Sequence, residues 1–208
     1  MKKILVASTN PGKLKELREM LGGDIEWVGL SDFPGIGEIE EDGKTFAENA
    51  RKKALGYAKA TGLWTLADDS GLVVDTIGGQ PGVKSARFAE SHRRDRKERR
   101  DFLDKKNIEK LLAMLKDVPK EKRTARFVCC LCLASPQNVL IETQGEVEGI
   151  IIDEPAGDNG FGYDPVFFVP KLNKTVAQLD SNEKNAISHR GNAIRKLKPL
   201  LQKLLKGY

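Results

Sequence analysis

Apolar residues in this chain group into short runs that alternate between strand-like and helical spacing. Ile4, Leu5, Val6 and Ala7 form a compact apolar run between Lys3 and Ser8, which predicts an opening β-strand. Thr9-Asn10-Pro11-Gly12 interrupts it. Leu14, Leu17, Met20 and Leu21 then recur on one face of a helix expected over residues 13–21, ending at Gly22-Gly23. A short strand is expected over 25–30, followed by an acidic loop over 31–43. Thr45-Phe46-Ala47-Glu48 has the form of a capping box, and the helix it opens should run to about Thr61 and stop at Gly62. Leu63-Trp64-Thr65-Leu66 and Leu72-Val73-Val74 are two β-prone runs, with Ala67-Asp68-Asp69-Ser70-Gly71 reading as a break between them.

Residues 78–83 are rich in turn formers. The stretch 91–116 is charged at first and becomes amphipathic through Ile108, Leu111, Leu112 and Leu115, predicting one or two helices. Strands are expected over 126–134, 139–149 and 166–169, and a final helix over roughly 187–205. This succession predicts an α/β fold with a mixed sheet. No repeat and no flexible linker divides the chain, so a single domain over 1–208 is expected.

Composition narrows the class. With 39% hydrophobic and 31% charged residues among 208, the chain is globular rather than disordered. No apolar run approaches a membrane span, and the opening run is too short for a signal peptide, so a cytoplasmic protein is expected. Cys129, Cys130 and Cys132 lie inside an apolar strand and read as core residues of a reducing compartment. No second Cys or His cluster completes a zinc site. The net charge of +5 favours acidic partners only weakly.

Several segments could carry chemistry. The adjacent carboxylates Asp68 and Asp69, followed by Ser70 and Gly71, fit either an Asp-rich turn or a site where one carboxylate holds a metal while its neighbour takes a proton from water. Mg²⁺ suits such a site because it takes oxygen ligands and shares them with phosphates. Ser8, Thr9, Asn10, Pro11, Gly12 and Lys13 pass from strand to helix start, where backbone N–H groups and the helix end attract anions. The spacing is not that of a Walker loop. Glu38, Glu40 and Glu41 form either a solvated acidic loop or the second half of a metal site. Of Lys52 and Lys53, one is expected to meet phosphate and the other solvent. In Gly160-Phe161-Gly162-Tyr163-Asp164-Pro165 the glycines permit close backbone approach, and Phe161 or Tyr163 offers a ring to stack on a base. Ser188-His189-Arg190-Gly191 offers donors near the start of the last helix. His92 reads as part of a solvated charged run.

Taken together these segments resemble the inosine triphosphate pyrophosphatase family, the HAM1-like noncanonical purine nucleoside triphosphate pyrophosphatases. The resemblance rests on Ser8 to Lys13, Glu40-Glu41-Asp42-Gly43 with Thr45-Phe46-Ala47-Glu48-Asn49-Ala50, Ala67 to Leu72, Pro81 to Phe88, Gly160 to Pro165 and Ser188 to Gly191, in that order along nearly the whole chain. It implies an elongated α/β domain with a long mixed sheet, two lobes flanking a nucleotide cleft, and a homodimer. It implies Mg²⁺-dependent hydrolysis of ITP, dITP and XTP to the monophosphate and pyrophosphate. It also implies roles: Asp69 as general base, Glu40 and Asp69 on Mg²⁺ with Asp68 or Glu41 as helpers, and Ser8 to Lys13 with Lys53 and Ser70 around the triphosphate. Phe161, Gly162, Tyr163, Asp164, Lys184, His189 and Arg190 would contact the nucleotide, the last two near the base. On that reading Arg190→Ala weakens ITP use far more than stability.

Two rival readings remain at this stage. A Maf-like pyrophosphatase would share the reaction but act on other bases. A nucleic-acid binder would use Arg93 to Arg100, but that run is interleaved with acids and holds no aromatic until Phe102, so neither nucleic acid nor membrane is an expected partner. The basic stretch 90–106 departs from the family pattern, where a shorter, less charged link is expected.

Overall fold

The computed structural model describes residues 2–22, 25–89 and 100–207. Gly23, His92 and the part of the basic stretch over 90–99 lie outside the described residues. The strands are β1 (Lys2–Ala7), β2 (Ile25–Gly29), β3 (Trp64–Val74), β4 (Thr124–Ala134), β5 (Val139–Ile151), β6 (Phe167–Val169) and β7 (Lys174–Thr175). They form one sheet in the order β2-β1-β3-β4-β5-β6-β7. The sheet is mixed: β1 pairs in parallel with β2 and β3, whereas β6 pairs antiparallel with β5 and β7. The helices are α1 (Pro11–Leu21), α2 (Phe46–Thr61), α3 (Arg100–Leu115), α4 (Ser181–Ile187) and α5 (His189–Lys206). None is long and apolar enough to cross a membrane among the described residues.

The chain forms two compact units. One comprises Met1–Ser70, Cys129–Glu146 and Ile187–Tyr208. Its core puts Ile4, Val6, Trp64, Leu66, Cys129, Leu131 and Leu133 of the sheet against Leu17 and Leu21 of α1 and Ile194, Leu197 and Leu201 of α5. Each fully buried aliphatic side chain there contributes about 1.5–3 kcal/mol relative to exposure. On α2, Ala50, Ala54 and Ala58 are buried at helical spacing, small enough to let the helix approach the sheet. The second unit comprises Gly71–Val128 and Val147–Ala186. Ile108, Leu111 and Leu115 of α3 are buried in it, and the rings of Phe127 and Phe167 meet at 4.4 Å.

The expected helix starts are present with their caps. Asn10 caps α1, accepting from the N–H groups of Gly12 and Lys13 at 3.0 and 3.4 Å. Thr45 Oγ1 accepts from the N–H of Glu48, whose carboxylate reaches the N–H of Lys44 rather than that of Thr45. The expected final helix is α5, which Ser188 caps through the N–H of Gly191; a separate short helix, α4, precedes it and ends at Ile187. β7, two residues long, carries too little pattern to be read from sequence.

The expected break at residues 67–71 does not occur. β3 runs uninterrupted through Asp68 and Asp69, held in register by β1 with Ile4 opposite Trp64 and Ala7 opposite Ala67. A strand can bury consecutive carboxylates only if each finds compensation, and here the compensation is nearby. Gly71 continues the strand where a Cβ would lie 2.3 Å from Ser85 Oγ and 2.8 Å from the Gly82 carbonyl, so a close approach, not a turn, requires glycine there.

Candidate functional site

Because side chains alternate along a strand, the two neighbouring carboxylates of β3 face opposite ways. Asp68 points to the α1 and α5 side. Its Oδ2 accepts from Arg190 Nε at 2.8 Å and from the Cys129 thiol at 3.2 Å, and its Oδ1 accepts from Lys13 Nζ at 2.5 Å and Ser70 Oγ at 2.9 Å. Burial alone would raise its pKa, but the Arg190 and Lys13 cations outweigh it and hold the carboxyl well below the usual range. Asp68 is therefore a fixed anion.

Arg190 is fully buried in the first turn of α5. Besides Asp68 it donates through Nη2 to Ser70 Oγ at 2.9 Å and through Nη1 to Glu16 of α1. Burial opposes its charge, yet Asp68 and Glu16 raise its pKa beyond that of an ordinary arginine. The guanidinium thus ties α5, α1 and β3 together, and this reverses the expected order of effects in Arg190→Ala: stability should suffer first. His189, beside it, is also buried.

Asp69 points to the α2 side. Its Oδ1 lies 3.3 Å from Lys53 Nζ, and its Oδ2 is buried without a hydrogen-bond partner. Burial pushes its carboxyl above the usual value, against the pull of Lys53 and Lys13. Lys53 Nζ also donates to the Asp68 carbonyl at 2.8 Å and pairs with Glu41 at 2.9 Å. Burial opposes its charge, but Asp69 and Glu41 together lift its pKa. Lys52, by contrast, is exposed and pairs with Asp42. Of the two lysines, Lys52 therefore faces solvent, as one of the pair was expected to, and Lys53 is buried among carboxylates.

The acidic loop is pinned beneath α2. Asn49, almost fully buried, accepts the Gly43 N–H at 2.8 Å. A Cβ on Gly43 would meet Asn49 Oδ1 at 2.6 Å and Glu48 Cβ at 2.9 Å. Glu41 is thereby placed on Lys53, while Glu40 is exposed. Among the described residues no group of three or more His, Cys, Asp or Glu side chains stands assembled for a metal. Even so, the oxygen donors of Asp69, Glu40 and Glu41 suit a hard cation, and the unpartnered Oδ2 of Asp69 lacks what such a cation supplies.

At the α1 start the open set of amides expected from sequence is only partly present, because Asn10 already accepts from Gly12 and Lys13. Ser8 Oγ in turn accepts the Asn10 N–H at 3.2 Å, while Thr9 and Pro11 are exposed.

In the second unit the loop 160–164 is built around Asp164. Its Oδ2 accepts the Phe161 N–H at 2.8 Å and pairs with Lys184 Nζ at 2.7 Å. The Lys184 ammonium also lies 4.5 Å from the centre of the Phe161 ring. Gly160 has φ 79°, and a Cβ there would fall 2.1 Å from Asp164 Oδ2. Tyr163 is buried, and its hydroxyl donates to the Ser85 carbonyl at 2.9 Å. That leaves Phe161 as the more accessible of the two rings.

The Ham1 family profile matches residues 4–200. The chain belongs to the Ham1 family. Curated relatives agree: it is 48% identical over 205 residues to a dITP/XTP pyrophosphatase of Bacillus subtilis, covering 97% of this chain and 98% of the relative. It is likewise 48% identical over 203 residues to a dITP/XTP pyrophosphatase of Desulforamulus reducens, covering 97% and 96%. Among solved structures, the Staphylococcus aureus Ham1 protein superposes with a TM-score of 0.84 at 42% identity, covering 97% of this chain and 99% of the other. The Mycobacterium abscessus nucleoside-triphosphatase, or dITP/XTP pyrophosphatase, gives 0.74 at 44% identity, covering 95% and 99%. This Ham1 chain therefore shares both fold and near-complete length with its relatives.

Three residues of the site carried no separate signal in the sequence reading: Glu16, Cys129 and Asn49. Glu16 is the one with a readable clue, a carboxylate one position before Leu17 and buried with it on α1.

Proposed function

We propose that this chain is a nucleoside triphosphate pyrophosphatase that hydrolyses dITP, ITP and XTP to the monophosphate and pyrophosphate. Family membership with dITP/XTP pyrophosphatases at 48% identity over nearly the full length supports the substrate class. The observation that carries the chemistry is the contrast between neighbours: Asp68 is a saturated anion, while Asp69 keeps a buried, unpartnered carboxylate oxygen and a raised pKa. Raised carboxylates with an open oxygen are suited to accept a proton from an attacking water.

Asp69 orients and deprotonates the water that attacks the α-phosphorus. Lys53, fixed by Asp69, Glu41 and the Asp68 carbonyl, offsets charge on the phosphates, and Lys13 does so from the α1 start with Asp68 holding its ammonium in place. Ser8, Thr9, Asn10, Pro11, Gly12 and Ser70 complete the phosphate-binding set. Asp69 and Glu40, with Glu41 as helper, would hold Mg²⁺, and Asp68 is not needed there because its oxygens are already taken. When bound, the ion neutralises phosphate charge and aligns the leaving pyrophosphate. Phe161, Gly162, Tyr163, Asp164 and Lys184 bind the nucleotide, with Phe161 offering its ring to the base; His189 and Arg190 act by anchoring the start of α5. As in the resemblance, a homodimer is expected.

A nucleotide panel with Mg²⁺ tests this reading. Pyrophosphate release should favour ITP, dITP and XTP over ATP, GTP, dUTP and TTP, and chelation should lower it at least about a hundredfold, with recovery on adding Mg²⁺ back. Release mainly from pyrimidine nucleotides would overturn the assignment. Asn49→Ala supplies a second check. Freeing the Gly43 N–H loosens the loop that carries Glu40 and Glu41, and loss of such a supporting contact costs about ten- to a hundredfold in metal affinity. The half-saturating Mg²⁺ concentration should rise within that range at unchanged saturating kcat; an unaltered Mg²⁺ dependence would remove the acidic loop from the metal site.

A further inference from the structure

α3 presents a row of polar side chains to two loops of its own unit. Asp104 Oδ2 accepts the Gly162 N–H at 2.8 Å, a contact between residues 58 apart in sequence. One turn on, Asn107 is buried; its Oδ1 accepts the Ala89 N–H at 2.7 Å, and its Nδ2 lies 3.4 Å from the carbonyls of Ser85 and Ala86. The same Ser85 carbonyl receives the Tyr163 hydroxyl. Lys110 continues the row, donating to the Phe88 carbonyl at 2.6 Å with its ammonium 4.5 Å from the Phe88 ring centre. α3 therefore holds Gly162 directly, and its neighbour Tyr163 through a shared carbonyl.

The hold at Gly162 differs in kind from the others in this loop. Asp164 takes the Phe161 N–H from within the loop, fixing its internal shape. Asp104 reaches in from outside and fixes where that shape stands relative to α3. Gly162 has φ 62°, the left-handed conformation in which its N–H turns toward α3. With Phe161 and Gly162 amides both taken by carboxylates, neither N–H is open to a ligand. The loop's Phe161 ring is half-buried beside the Lys184 ammonium, and both amides serve to position it.

We infer that Asp104 is a positioning residue for nucleotide binding, latching the loop 160–164 to α3 so that Phe161 is held ready for the base. This rests on the assignment of that loop to the nucleotide. No substrate contact is required of Asp104 itself, so its effect should fall on binding and not on the chemical step.

The test compares Asp104→Ala and Asp104→Asn with the unaltered chain, following dITP hydrolysis with Mg²⁺ and, separately, amide hydrogen exchange across residues 160–164 without nucleotide. Asn keeps an oxygen that accepts the Gly162 N–H, whereas Ala does not. The expected result is a KM for dITP raised up to about tenfold in Asp104→Ala, kcat within about twofold, and faster loop exchange, with Asp104→Asn close to unaltered on all counts. Unchanged loop exchange in Asp104→Ala would overturn the latch. Faster exchange with unchanged KM would overturn the positioning role. A fall in kcat and melting temperature shared by both variants, with KM unmoved, would make the contact merely structural and also overturn it. If the unaltered chain does not hydrolyse dITP, the functional reading fails on its own, and exchange still decides the latch: acceleration in Ala but not Asn supports it, and equal exchange in all three overturns it.

Discussion

Asp69→Asn should retain its fold and its nucleotide affinity and lose turnover by about 10³-fold, the scale of a positioned general base. The substitution is nearly isosteric and leaves the three-way hold on Lys53 two-thirds intact, since Glu41 and the Asp68 carbonyl remain. It also removes a charge whose burial is unfavourable, as the raised carboxyl pKa indicates. The melting temperature should therefore shift by only a few degrees. Pyrophosphate release at saturating dITP, set beside a binding isotherm and a melting curve, separates the cases. Near-normal turnover would remove Asp69 from the chemistry, and a large drop in melting temperature would make it a structural residue.

Arg190→Met carries the opposite expectation. The side chain is fully buried, and its removal takes the guanidinium away from Glu16 and leaves Asp68 with Lys13 as its one remaining cationic partner among the described contacts. Breaking a buried pair from one side costs about 3–5 kcal/mol, which for a chain of this size lowers the melting temperature by roughly 10 °C or more. Pairing it with Asp68→Asn should recover part of the loss, because the residues interact directly and their effects should couple by about 1–3 kcal/mol. A protein that melts normally but has a raised KM for dITP would instead make Arg190 a substrate ligand, as the motif resemblance implies. Strict additivity of the two substitutions would dissolve the proposed network.

These two expectations mark what the sequence could and could not reveal. The start of α2 was legible because a cap is a local event: Thr45 bonds to an amide three residues away. The composition of the site was legible as a set of motifs in order. Its wiring was not. Asp68 meets Lys13 across 55 residues and Arg190 across 122, and no periodicity within a short window encodes such partners. For the same reason β3 read as two strands. Carboxylates inside a strand contradict the local pattern unless their distant cations are known, and nothing local ties Glu16 to Arg190, 174 residues away. Asp104 fell in the charge-dense stretch that departed from the family pattern, and nothing local ties it to Gly162, 58 residues away.

The uninterrupted run of β3 has a consequence for how active protein is made. Its pairing with β1 sets which side of the sheet each carboxylate meets. A slip of one residue would exchange the two, aiming Asp69 at Arg190 and Asp68 at Lys53. Both arrangements satisfy charge, so such a chain could collapse and hide its ions while lacking a competent base. Specific activity after refolding would then measure strand registry, a quality that yield and solubility do not report.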